Sequence, residues 1–166
     1  MNTEVMFSSK TQNWETPQWL FDELHREFNF CIDTCASLEN SKCFFYWDEE
    51  IDALKQNWGA ELKTVKTICG DLVETHLTSY KGDKILFCNP PYATNKDWIK
   101  KASKEAKNGV TTVMLLPART DTIAFHQYIY KQPNVEIRFL KGRLKFGNSI
   151  NSAPFPSMIV IFRPHA

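Results

Sequence analysis

Lys84-Ile85-Leu86-Phe87-Cys88-Asn89-Pro90-Pro91-Tyr92 is an apolar run that stops against two consecutive prolines. Neither proline carries an N–H, so the chain can continue neither as a helix nor as a central strand. The reading is a buried strand over residues 84–88 that leaves the sheet in a stiff corner. That corner presents one amide side chain, backbone carbonyls and one aromatic ring. A planar group bearing an amino function can use all three: the Asn89 amide oxygen and the Pro90 carbonyl accept its N–H bonds, and the Tyr92 ring stacks on its face.

Working outward, Thr16-Pro17 reads as a helix start, with Thr16 as cap and Pro17 in the first turn. Leu20, Phe21, Leu24 and Phe28 follow at helical spacing. Short strands are expected over residues 28–33, 43–47 and 65–69, and an apolar central strand over 110–116. Residues 49–58, 97–108 and 122–130 carry helical patterns, with Gly109 as the stop of the second. Residues 135–140 and 157–162 read as a final antiparallel pair. The alternation predicts an α/β fold: a mostly parallel sheet with helices on both faces and an antiparallel C-terminal strand. In such sheets ligands sit beyond the carboxyl ends of the strands. Asp33, Asp48, Asp71 and Asn89 are the polar residues expected there.

Composition narrows the class. The chain has 166 residues, 43% hydrophobic and 13% aromatic, which suits a folded core and excludes a disordered chain. Residues 1–13 are polar and expected to be flexible, leaving 14–166 as a single domain with no separate target-recognition domain. No apolar run approaches a membrane span, and Met1-Asn2-Thr3-Glu4 lacks the features of a leader, so a cytoplasmic protein is expected. The five cysteines lack paired C-x-x-C spacing; a zinc site from Cys31, Cys35 and Cys43 finds no histidine at a ligand interval, and buried free thiols are the expectation, with no metal. Net charge is only +1, but residues 1–95 hold 8 Lys/Arg against 15 Asp/Glu, whereas residues 96–166 hold 12 against 4. Such asymmetry suits a polyanion-facing half, although two halves that neutralise each other would have the same composition.

The order of these features resembles the phage-type DNA N6-adenine methyltransferase (Dam) family of S-adenosylmethionine-dependent amino methyltransferases. The likeness runs over most of the chain to Ile161, and the segments carrying it are Thr16-Pro17, Asp33-Thr34-Cys35-Ala36-Ser37, Gly70-Asp71-Leu72 and Asn89-Pro90-Pro91-Tyr92. The resemblance implies a Rossmann-like class I methyltransferase fold with S-adenosylmethionine as cofactor, double-stranded DNA as partner, and a phage origin with action in the host cytoplasm. It places Thr16, Pro17, Asp33, Cys35, Ala36 and Ser37 around the methionine end of the cofactor. It gives Asp48 the ribose hydroxyls, and Asp71 with Leu72 the cofactor adenine. Asn89, Pro90, Pro91 and Tyr92 would hold a target adenine flipped out of the duplex. Lys96, Arg119, Lys141, Arg143 and Lys145 are the expected DNA contacts, with the remaining lysines of residues 96–107 and Arg138 as further basic candidates. Loops 119–125 or 141–156 would read sequence. The turn after Asp33 departs from the glycine-rich pattern usual in this fold. Amino methylation of RNA adenine, of cytosine N4 or of a protein glutamine amide stays open, as does a non-catalytic nucleic-acid-binding role.

Overall fold

The computed structural model describes residues 14–165, so the expected flexibility of residues 1–13 lies outside the described residues. In chain order the elements are helix α1 (Gln18–Phe28), strands β1 (Ile32–Asp33), β2 (Phe45–Tyr46), β3 (Leu62–Thr67), β4 (Leu72–His76) and β5 (Lys84–Cys88), helix α2 (Asn95–Ala106), and strands β6 (Val110–Pro117), β7 (Val135–Phe139) and β8 (Ser157–Phe162). The eight strands form one sheet in the order β4-β3-β2-β1-β5-β6-β8-β7. Its centre is parallel: β1 pairs with β2 and β5, and β5 with β6.

The strand of residues 84–88 forms as read. Its pleat sends Leu86 and Cys88 to one face and Phe87 to the other, and both faces are covered. On the Phe87 face, α1 contributes Leu20, Phe21, Leu24 and Phe28, packed with Val113, Leu115, Ile159 and Ile161. On the opposite face, α2 contributes Trp98, Ile99, Ala102 and Ala106 against Met114, Leu116, Met158 and Val160. β8 is buried along its whole length because it lies between β6 and β7, antiparallel to both.

The sheet corrects the expectation of a mostly parallel arrangement. Four of its seven pairings are antiparallel: β2–β3 and β3–β4 at one flank, β6–β8 and β8–β7 at the other. The cause at the first flank is the segment Ile68-Cys69-Gly70-Asp71. Gly70 takes φ 89, Gly70 N–H and Thr67 O close the turn, and the chain runs straight back as β4 instead of leaving as a crossover helix.

Local chemistry shortens other expected elements. Asn29 takes a left-handed conformation (φ 57) and its N–H bonds His25 O, so α1 ends cleanly and β1 shrinks to two residues. The helical pattern of residues 49–58 yields only a 3-10 turn at Ala53–Lys55. Asp48 Oδ1 accepts from Ile51 N and Asp52 Oδ1 from Leu54 N, and these bonds take the place of a continuous helix. Residues 122–130 contain a π-turn at Phe125–Ile129. At the start of α1, Pro17 rather than Thr16 is the cap: its carbonyl accepts from Leu20 N and Phe21 N, and the Thr16 hydroxyl is engaged elsewhere.

Leu86 is fully buried at the centre of the sheet, whereas Leu72 on the edge strand is 64% exposed. Leu86→Ala is therefore expected to cost about 2–5 kcal/mol of unfolding free energy, and Leu72→Ala less than about 0.5 kcal/mol, in urea titrations followed by tryptophan fluorescence.

Candidate active site

The site begins with the register of β1 on β5, which pairs Asp33 with Phe87. Beyond that pair, Thr34 N and Thr34 Oγ1 both donate to Phe87 O, at 2.9 and 3.0 Å, so the two strands end side by side. The turn after Asp33 is held by the Asp33 carboxyl, whose Oδ1 accepts from Cys35 N at 3.3 Å and Oδ2 from Lys42 N at 3.1 Å. The side chain is 3% exposed. Burial pushes its pKa up to about 7, outweighing those two N–H bonds. A buried carboxyl poised in this way favours a cationic group placed against it.

Asn89 follows β5 directly. Its Nδ2 donates to Trp14 O at 2.6 Å and to Thr16 Oγ1 at 3.0 Å. Its Oδ1 is shielded from solvent and has no hydrogen-bond partner among the described residues. A buried acceptor left in this state carries a substantial desolvation cost unless a ligand supplies a donor. Pro90 is buried and Pro91 exposed at the same corner. The Tyr92 ring packs among aromatic neighbours: near-parallel to Trp14 (17°, centroids 6.5 Å apart), and edge-on to Phe146 and Phe155 at 6.3 and 5.5 Å. Burial raises the Tyr92 pKa, so the phenol stays neutral, and its hydroxyl has no partner among the described residues.

A cavity of about 1020 Å³ opens at this edge of the sheet. Thr16, Asp33, Cys35, Ala36, Ser37, Asp48, Asn89, Pro90 and Pro91 all line it. Pro17 and Tyr92 do not; Pro17 is buried beneath the start of α1, and Tyr92 lies behind the corner in the aromatic cluster. Asp71 and Leu72 are also absent from the lining. The β3–β4 turn holds Asp71 instead: Asp71 O accepts from Thr67 N, Asp71 N donates to Thr67 Oγ1, and Asp71 and Leu72 are both exposed. Asp48 faces the cavity but is occupied. Burial disfavours its charge, yet Lys66 Nζ at 2.6 Å and Ile51 N at 3.1 Å more than compensate and lower its pKa.

Several lining residues escaped the sequence reading: Trp14, Glu15, Lys42, Trp47, Glu49 and Trp98. Lys42 had no motif to mark it; it is placed by Glu15 Oε1 and Gln18 Oε1, at 3.1 and 3.0 Å from its Nζ. The Cys35 thiol also faces the cavity, and burial pushes it up to about 12, which leaves it neutral and unreactive. Cys43 and Cys88 are buried and Cys31 and Cys35 partly so, but Cys69 is exposed on the β3–β4 turn, correcting the expectation that all five pack inside.

The basic residues divide into two groups. Arg138 and Arg163 are neutralised by Glu27 and Glu136, and Lys101 by Glu105. Lys96, Arg119, Lys141, Arg143 and Lys145 are exposed and make no ion pair among the described residues. In residues 141–146 the exposed Lys141, Arg143 and Lys145 alternate with buried Leu144 and Phe146. Phe146 touches both Trp14 and Tyr92, which anchors that basic row beside the Asn-Pro-Pro-Tyr corner.

A sheet with parallel central strands, covered on both faces and opening at its carboxyl edge onto such a cavity, defines a class I methyltransferase-like α/β fold. The particular family is equally clear. The family described as DNA N-6-adenine-methyltransferase (Dam) matches residues 4–166, and the chain belongs to it. Among its relatives, the DNA N-6-adenine-methyltransferase of Escherichia phage T1 is 26% identical over 132 residues, covering 79% of this chain and 45% of the relative. The protein of the same name from Haemophilus phage HP1 (strain HP1c1) is 24% identical over 161 residues, covering 92% of this chain and 79% of the relative. The chain thus spans less than half the length of the first of these relatives and about four-fifths of the second.

Asp33 provides a test of the site's electrostatics. Its pKa is raised from 3.8 to about 7 by folding, so its neutral form is the one the fold favours. Its contribution to stability is present below the unfolded value and lost as pH rises through 7. Asp33→Asn should remove that dependence: relative to wild type, the variant gains on the order of 4 kcal/mol between pH 4 and pH 8, read from urea midpoints across the range.

Proposed function

We propose that the protein transfers a methyl group from S-adenosylmethionine to the N6 amino group of adenine in double-stranded DNA. Membership of the Dam family supports the reaction class. The observation that carries the reading is the buried Asn89 Oδ1 at the rim of the cavity, unpartnered among the described residues. An exocyclic amino group is the donor it lacks. Adenine N6 is a poor nucleophile because its lone pair is delocalised into the ring. Hydrogen bonds accepted by Asn89 Oδ1 and the Pro90 carbonyl favour a more tetrahedral nitrogen and aim its lone pair into the cavity. Positioning and electrostatics then lower the barrier, and no strong base is needed, since the proton leaves after the nitrogen has become cationic. The DNA-facing surface of the Asn89–Tyr92 corner holds the plane of the flipped base.

The residues fit the cofactor. Bound S-adenosylmethionine supplies an electrophilic methyl group on a sulfonium. A cavity of about 1020 Å³ is large enough for a ligand of that size. Asp33 would take its ammonium group, with Ala36 and Ser37 allowing close approach in place of glycine. Asp48, although paired with Lys66 and Ile51 N, keeps lone pairs that would accept ribose hydroxyls, with Glu49 as the neighbouring acid. Trp47 and Trp98 would enclose the apolar part. Lys141, Arg143 and Lys145 would follow the phosphates, with Lys96 and Arg119 as further contacts, and the loops at 119–125 and 141–156 would read the flanking bases.

The test is transfer of tritiated methyl from S-adenosylmethionine to duplex DNA, followed by digestion to nucleosides. Label in N6-methyladenine is the expected result; label only in cytosine, or none in DNA while RNA offered in parallel is labelled, overturns the assignment. Asn89→Ala should lower transfer at least a hundredfold while calorimetry finds cofactor affinity within a few-fold of wild type. Tyr92→Phe should be mild and Tyr92→Ala severe.

The row of bases offers a separate measurement. Each phosphate contact contributes about 0.9 to the slope of log K against log salt on duplex DNA. Replacing Lys141, Arg143 and Lys145 together by glutamine should flatten that slope by about 2–3, measured by fluorescence anisotropy, with little change in melting temperature.

A further inference from the structure

From the hydrogen bonds around Asn89 we infer that Thr16 is a positioning residue that holds the Asn89 amide in the orientation selected by the Trp14 carbonyl, with Oδ1 toward the target base, rather than a cofactor ligand. A primary amide has two ends of nearly equal size and opposite character: Oδ1 accepts, Nδ2 donates. Only one orientation presents an acceptor to an amino group; the flipped one sets donor against donor. The neighbours decide between them. Trp14 O, 2.6 Å from the amide, can only accept, so the atom facing it is Nδ2. Thr16 Oγ1 takes the second Nδ2 proton at 3.0 Å. With both protons engaged, Oδ1 is left shielded at the cavity rim, with no partner among the described residues.

The Thr16 side chain is suited to this role. It is 4% exposed, and its position at the start of α1 suggests a helix cap, yet it caps nothing: Pro17 O accepts the first helical N–H groups instead. Its lone pair is spent on a residue 73 positions away in the chain. The Pro17 ring restrains the backbone on one side, and Gly147 N bonds Glu15 O at 2.8 Å on the other. The segment of residues 14–16 is therefore a fixed frame against which the amide is oriented. This inference rests on the proposed adenine methylation for its kinetic consequence, but the orientation of the amide can be tested independently of it.

Thr16→Val keeps the shape and removes the acceptor; Thr16→Ser keeps the acceptor. In methyl transfer to duplex DNA, Thr16→Val should lower kcat about tenfold, the worth of one hydrogen bond, with cofactor Kd by calorimetry within twofold of wild type and Thr16→Ser restoring the rate. In ¹H–¹⁵N spectra the Asn89 side-chain amide, assigned by its disappearance in Asn89→Asp, should be protected from solvent exchange in wild type and Thr16→Ser and lose protection in Thr16→Val. Weakened cofactor binding with kcat preserved would make Thr16 a cofactor ligand and overturn the inference, as would unchanged amide protection in Thr16→Val. Should wild type methylate no adenine, the proposed function fails while the spectra still decide the amide. Where valine does not fold, judged by circular dichroism, Thr16→Ala removes the same acceptor and is read the same way.

Discussion

One amide joins the two parts of the site: Asn89 Nδ2 donates to the carbonyl of Trp14, at 2.6 Å and across 75 positions of sequence, and to Thr16 Oγ1 at 3.0 Å. It ties the corner at the end of β5 to the segment that precedes α1. That segment in turn forms one wall of the cavity through Trp14, Glu15 and Thr16. Around this amide the Trp14, Tyr92, Phe146 and Phe155 rings pack together, bringing in residues 141–155 as well. Three chain segments far apart in sequence therefore meet at one amide.

The chemistry of the site follows from what is satisfied and what is not. Asp48 and Lys66 neutralise each other, and Arg138 is closed by two glutamates. Asp33 and Asn89 are different. Asp33 is a buried carboxyl with backbone N–H partners and a raised pKa, and the Asn89 carbonyl oxygen is buried with no partner among the described residues. Burial of polar atoms without full compensation costs stability. The fold concentrates two such costs at the carboxyl edge of adjacent parallel strands, where a ligand with an ammonium group and another with an amino group can relieve them.

The antiparallel flanks of the sheet bear on what this fold keeps and what it discards. At the C-terminal flank, β8 inserted beside β6 closes the core completely. At the other, the tight turn at Gly70 replaces a crossover helix, and the sheet ends on an edge strand with alternating exposed residues. The same turn takes Asp71 out of the cavity lining.

Much of this was legible in the residues alone. The proline pair fixed the end of β5, because no proline can donate in a ladder. The period of Leu20, Phe21, Leu24 and Phe28 placed α1, and the apolar run of residues 110–116 placed β6, because burial on one or two faces leaves a period in the sequence. The partners of those elements leave no such trace. Gly-Asp-Leu at 70–72 reads equally as a strand end before a helix or as a hairpin turn, and only the pairing of β3 with β4 decided for the hairpin. Thr16-Pro17 has the pattern of a cap, but the nearest competing donor was Asn89, which only the folded chain brings within 3.0 Å. Local hydrogen-bonding preferences and hydrophobic period are written in consecutive residues. Which of two equally capable partners a buried polar atom takes is decided by three-dimensional proximity, and so by tertiary structure.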